Sequence, residues 1–114
     1  MDSIIITSKG DVKRIAPSNG KDFSLYELQE MVGGYIEIVQ FMKDAGRFCF
    51  GMEDGGVIDM DMTDEYVMVI NEEGKLLTPE YNYLASVVAE KTDSMLPGDW
   101  ISGNAVICPS KMIK

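Results

Sequence analysis

The pattern of apolar and polar positions along the chain predicts short strands interrupted by two helices. Leu25, Leu28 and Val32 recur at helical spacing, and a second helical pattern runs through residues 81–90. The other apolar runs are β-branched or alternate with polar residues, which is typical of strands. The predicted order is therefore β-β-α-β-β-β-β-α-β, with strands at residues 3–8, 11–15, 35–42, 47–50, 57–62, 65–70 and 99–108.

The first helix has clear signals at both ends. Ser24 and Glu27 fit a capping box, in which each side chain accepts a hydrogen bond from the other residue's backbone N–H. Gly33 is placed to end the helix in a left-handed conformation, and Gly34 lets the chain turn into the next strand. A ligand contact is the less favoured interpretation of this glycine pair. The strand at residues 35–42 is apolar on both faces, which favours a central position in the sheet.

The second helix is predicted to begin at Thr78, as the N-cap residue, with Pro79 in the first helical position. Most connections are too short for the helical crossovers that parallel strands need. The 114 residues therefore predict a single α+β domain, 1–114, with a mainly antiparallel sheet. We expect about five to six strands, with the two helices packed on one face.

An acidic segment is the densest candidate for function. Residues 57–62 alternate acidic and apolar positions, which places Asp59 and Asp61 on one face of a strand. Three interpretations stay open: a solvated face, a surface that docks onto a basic partner or mimics phosphates, and a loose Mg²⁺ or Ca²⁺ contact. The segment lacks the glycine and the terminal glutamate of the twelve-residue calcium loop. The candidate partner-binding residues are Glu53, Asp54, Asp59, Asp61, Asp64 and Glu65.

Charge narrows the classes of partner. The formal net charge is −9, which opposes binding to nucleic-acid phosphates or to anionic membrane surfaces. The same charge suits docking onto a basic protein surface. No apolar run is long enough to span a bilayer, and the N-terminus has no secretion-signal pattern. We therefore expect a cytoplasmic protein with no membrane contact.

The absence of histidine limits the chemistry further. With 0 histidines, the chain lacks the usual nucleophile–base pairs, the commonest acid–base group and the usual zinc ligands. The two cysteines, Cys49 and Cys108, lie in apolar strand contexts and are predicted to be reduced and buried. The sequence predicts a protein that is not an enzyme and that has no cofactor and no resident metal.

A small-ligand site is the alternative to a docking surface. An anionic nucleotide would need basic and aromatic side chains, and the candidates are Tyr35, Lys43, Arg47 and Trp100. Such a pocket could form at the interface of a homo-oligomer.

Three segments resemble a known family. Residues 28–37 resemble an L-Q-x-x-V-G-G-Y-I-E signature, and residues 71–76 resemble an N-E-E-G-K-L turn that precedes N-x-x-A at Asn82 and Ala85. Residues 101–107 resemble a closing I-x-G-N-A-V-I. These motifs are similar to those of small phage and mobile-element proteins catalogued as domain of unknown function 3846. The chain departs from that pattern at residues 78–81 and in a longer acidic stretch at residues 52–64.

The resemblance implies a phage, prophage or plasmid setting, and hence the host cytoplasm, but it implies no reaction. The leading hypothesis is a non-catalytic accessory protein, an anti-defence inhibitor whose acidic surface engages a basic host protein. The alternatives are a protein that sequesters a signalling nucleotide and a carboxylate-metal enzyme that uses Asp59 and Asp61.

Overall fold

The structure is a computed structural model, and it describes residues 2–63, 65–74 and 80–114. Seven strands and two α-helices lie within these residues. Their order is β1 (Ser3–Ile6), β2 (Val12–Ile15), α1 (Leu25–Val32), β3 (Ile36–Gln40), β4 (Gly46–Gly51), β5 (Val57–Met62), β6 (Tyr66–Asn71), α2 (Tyr83–Lys91) and β7 (Ala105–Pro109). A short 3₁₀ turn, Ser110–Met112, follows β7.

Five of the strands form one sheet in the order β2-β1-β7-β6-β3, and every neighbouring pair in it is antiparallel. Strands β4 and β5 form a separate antiparallel pair. The predicted α+β class and mainly antiparallel sheet are therefore confirmed. In the part of the chain that the structure describes, no helix is long and apolar enough to cross a bilayer.

Each face of the five-stranded sheet is covered by a different helix. Strand β7 shows the alternation: Ala105 and Ile107 face the larger core, whereas Val106 and Cys108 face the smaller one. Helix α2 and the β4–β5 hairpin cover the larger core, and α1 covers the smaller one. The prediction that both helices pack on one face is therefore wrong. Strands β6 and β7 are apolar on both faces, so each face needs its own cover.

Strand β3 lies at the edge of the sheet and pairs only with β6 among the described strands, so the predicted central position is wrong. Its apolar side chains do pack on both faces. Ile36 packs against the α1-side core, and Val39 packs against the larger core. Side-chain alternation reports which faces of a strand are covered, but it carries no information about backbone neighbours.

Helix α1 forms as its local signals predict. The Ser24 Oγ accepts from the Glu27 N–H at 3.1 Å, and the Glu27 carboxylate accepts from the Ser24 N–H at 3.0 Å. Gly33 ends the helix with φ of 84°, a conformation that glycine adopts without a Cβ clash. The capping box and the glycine stop are confirmed.

Helix α2 begins at Tyr83, with Asn82 as its N-cap. The predicted cap at Thr78 and Pro79 lies outside the described residues. The buried Asn82 side chain accepts from the Ala85 N–H at 3.0 Å and donates to the carbonyl oxygens of Ile6 and Gly103, at 3.0 and 2.8 Å. Asn82 therefore fixes the start of α2 to the end of β1 and to the segment before β7.

The two cysteines differ in burial. Cys108 lies in the α1-side core, and burial raises the pKa of its thiol to about 12. Cys49 is exposed, because it pairs with Asp59 on the outward face of the β4–β5 hairpin. The prediction of a buried thiol is therefore wrong for Cys49 and confirmed for Cys108.

Candidate functional site: an acidic groove beside strand β3

A groove of about 540 Å³ lies between the β3–β6 pair and the segment that follows α2. Strands β3 and β6 and the turn after β6 form one wall, and residues 94–102 form the other. We call it the acidic groove. Its described lining residues are Glu37, Val39, Ile70, Asn71, Glu72, Glu73, Gly74, Ser94, Met95, Leu96, Asp99, Trp100, Ile101 and Ser102.

The turn after β6 places two carboxylates at the rim of the groove. The side-chain oxygen of Asn71 accepts from the Glu73 N–H at 2.8 Å, and its side-chain nitrogen donates to the Val32 carbonyl at 3.2 Å. The bond from the Glu73 N–H, two residues further on, is typical of an asparagine that starts a turn. The Glu72 N–H donates to the Tyr35 carbonyl at 2.8 Å, which continues the β3–β6 ladder by one residue pair. Both glutamate side chains are therefore exposed on a fixed backbone.

The backbone is closely packed at two of the lining residues, Gly74 and Ser102. A Cβ atom at Gly74 would lie 2.9 Å from the Ser102 carbonyl oxygen, so only glycine allows this approach. Ser102 is 5% exposed, and its hydroxyl has no hydrogen-bond partner among the described residues. A buried hydroxyl without a partner carries a free-energy cost of about 1–3 kcal/mol.

The groove combines negative charge with apolar surface. Glu37, Glu72 and Glu73 are exposed, and Asp99 also lines the groove. No lysine or arginine occurs among the described lining residues. Trp100 is 44% exposed, so part of its ring is accessible at the opposite wall. Carboxylates next to an indole ring favour a cationic ligand and oppose an anionic one.

The negative charge of the predicted acidic face of β5 is partly neutralised by Arg47 on β4. Arg47 donates to Asp59 at 3.0 Å and lies 3.5 Å from the Asp61 carboxylate. Both aspartates are exposed, as the alternation predicts. Glu53 forms an ion pair with Lys13 at 3.2 Å. Three of the six predicted carboxylates thus have a basic partner within the chain.

The other predicted acidic residues do not join them in one site. The Asp54 side chain accepts from the Gly56 N–H at 2.8 Å within its own loop. Glu65 is exposed at the start of β6, and Asp64 lies outside the described residues. Within residues 2–63, 65–74 and 80–114, no group of three or more acidic or cysteine side chains is arranged to hold a metal ion.

The residues predicted for a nucleotide pocket do not converge either. Tyr35 lines a second pocket of about 260 Å³, which shares Asn71 and Glu73 with the acidic groove. Trp100 lines the groove itself, but Lys43 and Arg47 line neither of the two. Arg47 lies on the hairpin with its aspartates.

The main groove carboxylates, Glu37, Glu72, Glu73 and Asp99, are not among the residues predicted from the sequence. Glu37 and Asp99 are far along the chain from the adjacent pair Glu72 and Glu73, and only the β3–β6 pairing and the segment after α2 bring the four together. The sequence signal that could have found part of the set is the Asn-Glu-Glu-Gly turn at residues 71–74, where two adjacent acids follow a strong strand.

Comparisons of the chain with family models, with curated proteins and with solved structures give no match. The resemblance to domain of unknown function 3846 therefore stays a prediction that rests on its three motifs. The functional argument rests on the geometry of this chain.

Proposed function

We propose that the protein acts by binding, without catalysis, and that it takes a basic segment of a partner protein into the acidic groove. One observation carries the proposal: a groove of about 540 Å³ whose described lining has exposed glutamates and an accessible tryptophan but no basic residue. As part of the same proposal, the resemblance suggests a phage or mobile-element accessory protein that inhibits a host factor in the host cytoplasm.

The lining suits lysine and arginine side chains. Their cationic ends form charge-assisted hydrogen bonds with carboxylates, and their alkyl parts pack on apolar surface such as Leu96 and Met95. The Trp100 ring adds a cation–π contact worth about 0.5–1 kcal/mol at an exposed site. The net charge of −9 also raises the rate of encounter with a basic partner.

The acidic face of β5 is the competing docking surface. Its two aspartates share Arg47, so a basic partner would have to compete with an existing ion pair. The groove glutamates face no basic residue among the described lining residues of the groove. The groove is therefore the better-supported site, and the β5 face provides a matched comparison.

Trp100 is the only tryptophan in the chain, so its fluorescence reports directly on the groove. Titration with an arginine- and lysine-rich peptide should change this fluorescence, and the affinity should fall as salt is added. Replacing Glu37, Glu72 and Glu73 by glutamine should weaken binding about tenfold, at about 0.5 kcal/mol for each lost exposed charge pair.

The matched control replaces Glu53 by glutamine and Asp59 and Asp61 by asparagine. This variant also removes three negative charges, but from the β5 side. It should keep most of the affinity. Equal losses in the two variants, or a larger loss in the control, would contradict the groove as the site.

A parallel titration with a cyclic dinucleotide and with ADP-ribose tests the anionic-ligand alternative. We expect no fluorescence change, because the groove carboxylates repel phosphates. Saturable nucleotide binding that survives the triple glutamine replacement would instead support the nucleotide-sequestering function.

A further inference from the structure

The register of the β3–β6 pair shows which backbone groups of β3 face outward. Tyr35 lies opposite Glu72 in this register, and the Glu72 N–H donates to the Tyr35 carbonyl. In an antiparallel pair, residues bonded to the neighbouring strand alternate with residues whose backbone groups point away from it. Glu37 and Val39 therefore bond to β6. The N–H and C=O groups of the alternate residues Ile36, Ile38 and Gln40 point toward the open edge.

The open part of this edge is short and well defined. Beyond it the Met42 N–H donates to the Thr92 carbonyl at 3.0 Å, so the chain after α2 closes the edge at that point. Strand β3 has no second strand neighbour in the part of the chain that the structure describes. The available outward groups therefore lie on Ile36, Ile38 and Gln40.

The two faces of this edge differ in chemistry. Glu37 and Val39 line the acidic groove on one face. On the other face, Ile36 packs against the α1-side core, and Ile38, two residues further along, is 44% exposed. Residues opposite one another on neighbouring strands share a face. An added strand would thus place alternate side chains in an acidic groove and against an apolar surface.

From this geometry we propose that the partner's basic segment binds as an extended strand that pairs with the open edge of β3. Its basic side chains enter the acidic groove near Glu37, and its alternate, apolar side chains cover Ile38. The partner's backbone then satisfies the outward groups of β3, as in recognition by strand addition. This inference rests on the proposed function, because the basic character of the segment comes from the groove.

Charge argues against a second copy of this chain as the occupant. Each copy carries a net charge of −9, and edge-to-edge pairing would bring two sets of groove glutamates to the same interface. Charged residues at sheet edges oppose self-pairing for this reason. A basic partner removes the repulsion.

Amide exchange of the folded chain tests the pairing residue by residue. The probe is a peptide that alternates valine and lysine. The control is the same peptide with the backbone nitrogens along one edge of the strand N-methylated. In the free protein, the amides of Ile36, Ile38 and Gln40 should exchange fast, whereas those of Glu37 and Val39 should be protected by β6. Saturating peptide should slow the three outward amides by about tenfold or more, and the N-methylated peptide should not.

An Ile38→Pro variant removes one outward N–H without removing a bond to β6. This variant should bind the peptide about tenfold more weakly, or weaker still. If that variant fails to fold, the N-methylated peptide still tests the inference on the unchanged chain.

The outcomes separate this inference from the proposed function. Peptide binding that quenches Trp100 and depends on the groove glutamates, but leaves the outward amides unprotected, overturns strand pairing and keeps the groove as the site. No binding at all overturns both. Protection that rises with protein concentration in the absence of peptide shows that a second copy is the occupant, which also overturns the inference.

Discussion

The two edges of the five-stranded sheet are protected in different ways. At the β2 edge, the Val12 carbonyl accepts from the Glu53 N–H at 3.1 Å, so the loop after β4 covers that backbone. The basic side chains of this edge are also paired, Lys13 with Glu53 and Arg14 with Asp2, each at 3.2 Å. The chain itself therefore covers this edge at Val12 and pairs its charged side chains.

At the β3 edge, the covering bond from Met42 to Thr92 lies beyond the end of the strand, and no described residue bonds to the outward groups of Ile36, Ile38 or Gln40. Its outward groups lie between the acidic groove and the partly exposed Ile38, and Glu37 supplies its charge. Natural sheets protect an edge either with covering chain or with charge. A covered edge excludes every partner, whereas a charged edge excludes only partners of the same sign. The difference is in line with our proposal that a basic partner pairs with β3.

The largest expected effect comes from testing which β3 N–H groups point toward β6 and which point toward the open edge. Val39→Pro should lower the free energy of unfolding by at least about 2 kcal/mol, because it removes a bond to β6 and leaves a carbonyl without a donor. Ile38→Pro should cost no more than about 1 kcal/mol, since its N–H faces outward. Urea denaturation of both variants measures the difference. Equal costs would show that the two amides do not alternate in direction.

Truncating one apolar side chain at each edge gives a smaller difference. Val12 is 1% exposed, because it packs in the larger core beneath the covering loop. Val12→Ala should therefore destabilise the fold by about 2 kcal/mol. Ile38→Ala, at the partly exposed position, should cost less than about 1 kcal/mol. Thermal or urea unfolding of the pair checks this, and a larger cost at Ile38 would contradict the open edge.

The smallest expected effect is a pH-dependent change in stability at the loop that follows β2. Glu27 accepts from the N–H groups of Ser24 and Ser18, each at 3.0 Å, and these bonds lower the pKa of its carboxyl group. The Glu27 carboxylate is therefore protonated more readily in the unfolded chain than in the folded chain. The stabilisation is present above the ordinary glutamate pKa and is lost as pH falls through the lowered value.

The measurement for Glu27 compares wild type with Glu27→Gln in acid and at neutral pH. The variant should be less stable at neutral pH, and the difference should shrink as the wild-type carboxylate is protonated. A difference that stays constant across this range would show that the charge of Glu27 does not contribute. Ser18 lies in the loop that follows β2, so this pH dependence reports on the β2 side of the sheet.

Short-range features could be predicted from the sequence. The Ser24–Glu27 box and Gly33 act within one helix, and the Asp59–Asp61 alternation acts within one strand, so neighbouring residues contain the whole signal. The candidate site was not predictable in the same way. Glu37 and Trp100 line one groove only because the sheet and the segment after α2 fold together.

The sequence by itself determined the α+β class, the ends of α1, the exposed acidic face of β5 and the net charge of −9. Only the tertiary structure decided that the helices lie on opposite faces, that Cys49 is exposed and that β3 is an edge strand. The physical reason is that side-chain patterns encode the faces of an element. Every residue except proline carries the same backbone donor and acceptor, so strand neighbours, and with them the open edge of β3, are set by pairing between distant segments.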